Sequence, residues 1–246
     1  MSARPAPGWL TQWEFAHRGL HGPGADGLVP ENSLTAAEGA IARGMGIECD
    51  IQRSCDDHPM VFHDWDLPRL TGETGVAAER SADELEALHL LGTDQHPVRL
   101  ARFLEVVAGR VPLLIEIKSL PGYDVEWTCS SVAWLLDSYT HDVAVMSFDP
   151  RVPMWFAAEA PDVTRGLVGT DSYENGFEGV WRSQDAIAAA APDFLAIDVR
   201  DLARPEAAAW RAAGRPLLTW TVRSPETRAT GLALADALIV EGDGLA

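Results

Sequence analysis

Glu48 and Asp50 stand two apart in Ile47-Glu48-Cys49-Asp50-Ile51, a segment with the composition of a β-strand. Alternation along a strand sends both carboxylates to one face and Cys49 to the other, where it reads as an inert core thiol. Two carboxylates side by side repel unless positive charge lies between them. Glu116, in the run Pro112 to Lys118, supplies a third if its strand lies beside theirs. Three converging carboxylates with room for water suit a hard divalent cation such as Mg²⁺ or Ca²⁺. The bland alternative is a solvated charged strand, which fits poorly with parallel strands covered on both faces. His17 and His63 each end a β-like run and are candidates for general acid and base. Arg18 and Lys118 are the cations near them in sequence, and Lys118 is the only lysine in the chain. Cation ligands, two positive side chains and two histidines together describe a site for a phosphate ester.

Residues so far apart in sequence need a scaffold that gathers them. Eight short apolar runs recur along the chain: Glu14 to Arg18, Ile47 to Ile51, Pro112 to Lys118, Val143 to Phe148, Thr164 to Val168, Phe194 to Val199, Pro216 to Val222 and Ala237 to Glu241. Helical stretches separate most of them, among them Leu34 to Arg43, Val125 to Ser138, Pro150 to Ala160, Pro205 to Gly214 and Pro225 to Ala235. Strand-then-helix order implies parallel strands with helical crossovers. Eight such units in a 246-residue chain predict an α/β fold of the (β/α)8 TIM-barrel class, as one domain over residues 1–246. A doubly wound sheet is the runner-up, but no GxGxxG turn follows Phe15. In a barrel the catalytic groups sit at the C-terminal strand ends, where the residues above fall. One segment departs from the rhythm. His58 to Asp64 is β-like with no helix before it, which predicts a hairpin. Trp65 to about Arg99 then reads as a small insertion on a βα connection (residues 65–100), with Ser81-Ala82-Asp83-Glu84 as a capping-box helix start.

Composition narrows the partners. The formal net charge is −18, from 19 basic and 37 acidic residues. Such a chain is repelled by nucleic-acid phosphates and by an anionic membrane surface. Three cysteines, Cys49, Cys55 and Cys129, are too few for a disulfide framework, and their spacing does not suggest zinc. Met1 to Trp13 lacks the apolar stretch of a signal peptide, and no apolar run reaches the ~18–20 residues of a membrane span. These features lead us to expect a cytoplasmic protein with a small-molecule partner and no integral membrane association.

Five motifs in order carry a resemblance. His17-Arg18-Gly19, Pro30-Glu31-Asn32-Ser33, Glu48-Cys49-Asp50, Val61-Phe62-His63-Asp64 and Glu116-Ile117-Lys118 together resemble the glycerophosphodiester phosphodiesterase family. Weaker echoes follow in Ser147-Phe148-Asp149, Trp220-Thr221-Val222 and Ala237 to Gly242. The resemblance implies a (β/α)8 barrel with a small insertion, metal-dependent hydrolysis of glycerophosphodiesters, and a role in lipid and glycerol metabolism. It implies that Glu48, Asp50 and Glu116 bind the metal, that His17 and His63 act as acid and base, and that Arg18 and Lys118 contact the phosphate. Trp220 would line the pocket. Glu31 would stand at its edge, orienting a neighbour or facing the metal, or else be a carboxylate in a helix first turn. We take His17 as the base and His63 as the acid, with the reverse order and the choice of water or a glycerol hydroxyl as nucleophile left open. Ser33 replaces the usual Thr and Glu241 the usual Asp, and Leu20 to Val29 is a long loop that could reshape the substrate mouth. A lysophospholipid-cleaving relative is the nearest rival, with Trp65, Leu67 and Trp181 as its exposed apolar residues. A non-catalytic barrel binding module and a Schiff-base enzyme using Lys118 are more distant ones.

Overall fold

The computed structural model describes residues 5–24, 27–172 and 176–246. Parts of the Leu20 to Val29 loop and of the Met1 to Trp13 segment lie outside the described residues. The fold is a (β/α)8 barrel whose eight strands are Phe15–Ala16, Gly46–Arg53, Leu113–Ile117, Val143–Ser147, Thr164–Gly169, Phe194–Asp198, Leu217–Val222 and Ala237–Val240. Every expected strand is present within a few residues of its expected limits. The first is the shortest because the chain turns sharply at Arg18, whose φ is 57°. The chain divides into two compact units.

One unit comprises Ala16–Lys118 and Glu126–Asp142. In it Gly46–Arg53 and Leu113–Ile117 pair in parallel, with Glu48 opposite Leu114 and Asp50 opposite Glu116. The expected hairpin forms: Pro59–Val61 returns antiparallel along Gly46–Arg53, with Met60 opposite Gln52. Leu34–Ala42 is a helix capped by Ser33, whose hydroxyl accepts from the Ala36 N–H at 3.1 Å. That cap excludes one reading of Glu31, which lies before the helix and so is not a first-turn carboxylate. The insertion contains two short helices, Pro68–Thr71 and Ala82–Glu86, the second opened by the Ser81–Glu84 capping box. It folds on its own apolar core of Met60, Phe62, Leu67, Leu70, Leu85 and Leu90. Leu67 is therefore buried and not available as the exposed apolar residue that the rival reading would need.

The other unit comprises Ser119–Val125, Val143–Ala246 and the N-terminal segment through Phe15. Its five strands, from Val143–Ser147 to Ala237–Val240, pair in parallel in chain order. Helices Arg151–Glu159, Gln184–Ala190, Pro205–Ala212 and Pro225–Leu234 connect them. Trp181 packs with Leu167, Leu195, Ile197 and Trp210 and is likewise not available to the rival reading. Gly169 makes that packing possible, since a Cβ there would come within 2.3 Å of the indole. Among the described residues no helix is long and apolar enough to cross a membrane.

Candidate active site

His17 and Arg18 follow the first barrel strand in a tight turn closed by the Gly19 N–H donating to Ala16 O at 3.1 Å. Gly19 has φ 76°, and a Cβ there would lie 2.8 Å from the backbone and Cβ of Ala36. The turn thus packs directly on the Leu34–Ala42 helix, which only glycine permits. Its geometry aims the Arg18 backbone N–H at Glu48 Oε2, 3.0 Å away, and places the guanidinium among acids. Arg18 Nη1 donates to Glu31 Oε1 at 2.7 Å, and Nε lies 3.2 Å from Asp50 Oδ2. That Nε contact is an ion pair without hydrogen-bond alignment, so the buried N–H has no acceptor. His17 is buried beside this turn.

The three expected ligands converge. Glu48, Asp50 and Glu116 each offer a carboxylate oxygen, all within 4.8 Å of one another, and all three residues are buried. Strand alternation and the Asp50–Glu116 register produce this cluster. Lys118 Nζ lies 2.8 Å from Glu116 Oε1 and 3.0 Å from Asp50 Oδ1. Burial works against the Lys118 charge, but Asp50 and Glu116 more than offset it and hold the ammonium protonated. Burial likewise works against ionised Asp50, and Lys118, His63, Arg18 and His17 reverse it, pulling its pKa well below the usual carboxylate range. Glu48 goes the other way, raised first by burial and then by Asp50 and Glu116. A buried carboxyl that resists ionisation beside two others marks a place short of positive charge. That shortfall, with an all-oxygen donor set, fits a hard divalent cation. Cys49 is buried on the opposite face, its thiol pushed up chiefly by burial.

His63 follows the hairpin strand. Its Nδ1 lies 2.6 Å from Asp64 Oδ1. Hydrogen bonds from His63 and Arg69 overcome burial and hold the Asp64 pKa well below its ordinary value. An ionised carboxylate only accepts, so His63 carries its proton on Nδ1 and Nε2 is left for chemistry. Arg69, from the insertion helix Pro68–Thr71, donates to both Asp64 oxygens and both Glu31 oxygens at 2.6–2.9 Å. Glu31, drawn between Arg69 and Arg18, has its pKa lowered to about 2 despite its burial.

Eight of the nine expected site residues, from His17 to Lys118, belong to one compact unit, and six of those eight make the contacts just described around Asp50, Glu116 and Glu31. The ninth, Trp220, belongs to the other unit, where its indole N–H donates to Ala196 O at 2.9 Å and its ring meets Phe148 edge-on. Glu241 is ion-paired with Arg223 in that unit. Three participants, Asn32, Asp64 and Arg69, were not anticipated as site residues. Asn32 has φ 58° and is buried, with Nδ2 donating to Asp50 Oδ2 at 2.9 Å and Oδ1 accepting from the Asp50 N–H. Its place in the Glu-Asn motif was the available signal. Arg69 left no signal in the sequence, because a surface arginine in an insertion looks like any other.

Polar groups gathered at the strand ends of a (β/α)8 barrel define an enzyme-type site. The chain belongs to the glycerophosphoryl diester phosphodiesterase family, whose profile matches residues 17–241. A curated glycerophosphodiester phosphodiesterase of Bacillus altitudinis is 35% identical over 107 residues, 43% of this chain and 38% of its own length. One of Caldanaerobacter subterraneus is 33% identical over 96 residues, 38% of this chain and 36% of its own. The chain thus spans less than half the length of the curated relatives it matches. An Oleispira antarctica phosphodiesterase, solved in complex with its product sn-glycerol-3-phosphate, shares the fold with a TM-score of 0.75 at 21% identity. That likeness covers 96% of this chain and 93% of the other.

Proposed function

We propose that this protein hydrolyses glycerophosphodiesters to a glycerol phosphate and an alcohol, with a divalent cation held by Glu48, Asp50 and Glu116. The observation that carries the reading is the convergence of these three buried carboxylates with Lys118 and Arg18 beside them. Glu48, Asp50 and Glu116 would hold a Mg²⁺ or Ca²⁺ ion, which would supply Lewis-acid neutralisation of the phosphate charge. Arg18 and Lys118 bind the same phosphate. Lys118 has three N–H donors and directs them at two carboxylates, which leaves one for the substrate. His17 accepts the proton of the nucleophile, which is water or a neighbouring glycerol hydroxyl. His63, once protonated on both ring nitrogens, gives its Nε2 proton to the leaving alkoxide oxygen and is left as the neutral Nδ1–H tautomer that Asp64 holds. Glu31 orients Arg18.

The lysophospholipid alternative loses two of its three supports, since Leu67 and Trp181 are buried. Parallel assays on glycerophosphocholine and lysophosphatidylcholine test the choice. Turnover of glycerophosphocholine is expected; cleavage of lysophosphatidylcholine alone would overturn the proposed substrate class.

A further inference from the structure

The insertion contributes one side chain to the network, and that side chain links two groups with different tasks. Arg69 Nε and Nη2 reach Asp64 Oδ2 and Oδ1 at 2.6 and 2.8 Å. Its Nη1 and the same Nη2 reach Glu31 Oε2 and Oε1 at 2.9 and 2.7 Å. Asp64 in turn meets His63 Nδ1, and Glu31 meets Arg18 Nη1. Leu67 and Leu70, on either side of Arg69, are locked in the insertion core, so the short helix that carries Arg69 is fixed in place.

We propose that Arg69 is a positioning residue that sets the orientation of His63 through Asp64 and of Arg18 through Glu31. The inference rests on the reading of His63 as a proton-transfer group and Arg18 as a phosphate ligand. The physical requirement is a single planar cation with donors on two edges. Arginine offers five N–H groups in a rigid fork, whereas lysine offers a point charge that cannot span both carboxylates. Without Arg69, Asp64 and Glu31 are two acids with no shared partner. Asp64 is then free to swing, and His63 loses the fixed acceptor that selects its Nδ1–H tautomer. The effect should fall on the chemical step, because Arg69 itself contacts neither histidine nor phosphate.

The Arg69 side chain is 49% exposed, so truncation opens a slot to solvent where a guanidinium ion can enter. The experiment compares wild type, Arg69→Ala and Arg69→Lys on glycerophosphocholine, with thermal unfolding followed in parallel. Arg69→Ala should lose kcat by about 10- to 100-fold, the range seen for supporting partners of functional groups, with KM little changed. Millimolar guanidinium should restore part of that kcat, and equal urea or sodium chloride should not. Arg69→Lys should stay well below wild type. Wild-type kcat in Arg69→Ala, or a loss that guanidinium leaves unmoved, would overturn the proposal in favour of a structural role. Nitrogen NMR of His63 reads the same idea without turnover. One Nδ1–H tautomer is expected in wild type and a mixture in Arg69→Ala, and identical spectra would also overturn it. Should wild type fail to cleave glycerophosphocholine, the substrate reading fails while the spectra still decide the role of Arg69.

Discussion

Lys118 Nζ stands 3.0 Å from Asp50 Oδ1, with the two side chains only 12% and 2% exposed. Removing Lys118 takes the ammonium from both Asp50 and Glu116 and leaves two buried carboxylates with less compensating charge. Lys118→Met should therefore destabilise the metal-free protein by about 3–5 kcal/mol, the usual cost of removing one partner of a buried pair. Saturating Mg²⁺ should shrink that loss by supplying charge to the same carboxylates. Denaturant midpoints with and without Mg²⁺ check this, and equal midpoints for wild type and variant would contradict it.

His17 and His63 carry the proton transfers in this account. His17→Ala and His63→Ala should each lower turnover by about 10²–10⁴-fold. Circular dichroism and melting should show both variants folded, since neither ring is a core hydrophobe. Near-normal activity in a purified, folded variant would remove that residue from the mechanism.

Glu31 gives the protein a predictable acid limb. Arg69 and Arg18 outweigh its burial and lower its pKa from 4.5 to about 2. A depressed carboxyl pKa stabilises the fold fully above the unfolded value and loses that contribution as pH falls through the folded one. The window is thus pH 4.5 down to 2, and the contribution at neutral pH is about 3 kcal/mol at most. Glu31→Gln should be less stable than wild type at pH 7, with the gap closing in that window. Parallel stability curves across pH 2–5 would contradict the assignment.

Gly19→Ala should damage the site without touching a catalytic atom. The substitution combines a left-handed φ of 76° with a Cβ placed 2.8 Å from Ala36. We expect a loss of about 1–3 kcal/mol and a marked fall in activity, because Arg18 moves with the turn. Urea denaturation and a single assay suffice, and a wild-type result in both would show that the turn can relax.

Much of this site was legible in the sequence, for identifiable reasons. Strand alternation placed Glu48 with Asp50, and the next parallel strand brought Glu116 opposite Asp50. Ser81 with Glu84 announced its helix by the chemistry of the cap. These are local rules with short reach. Arg69 escaped because its partner Glu31 lies 38 residues away and no local pattern marks the pairing. Leu67 and Trp181, which the rival lysophospholipid reading would need exposed, are buried for a different kind of reason. An apolar residue in a connection looks exposed until the connection proves to have its own core, or a glycine such as Gly169 proves to leave room for an indole.

The most direct test of the central claim is turnover of glycerophosphocholine after exhaustive chelation, followed by addition of Mg²⁺ or Ca²⁺. The three buried carboxylates of Glu48, Asp50 and Glu116 predict that chelated enzyme is inactive and that one of these ions restores activity. Asp50→Asn should not be restored. Full activity in the chelated wild type would contradict the account.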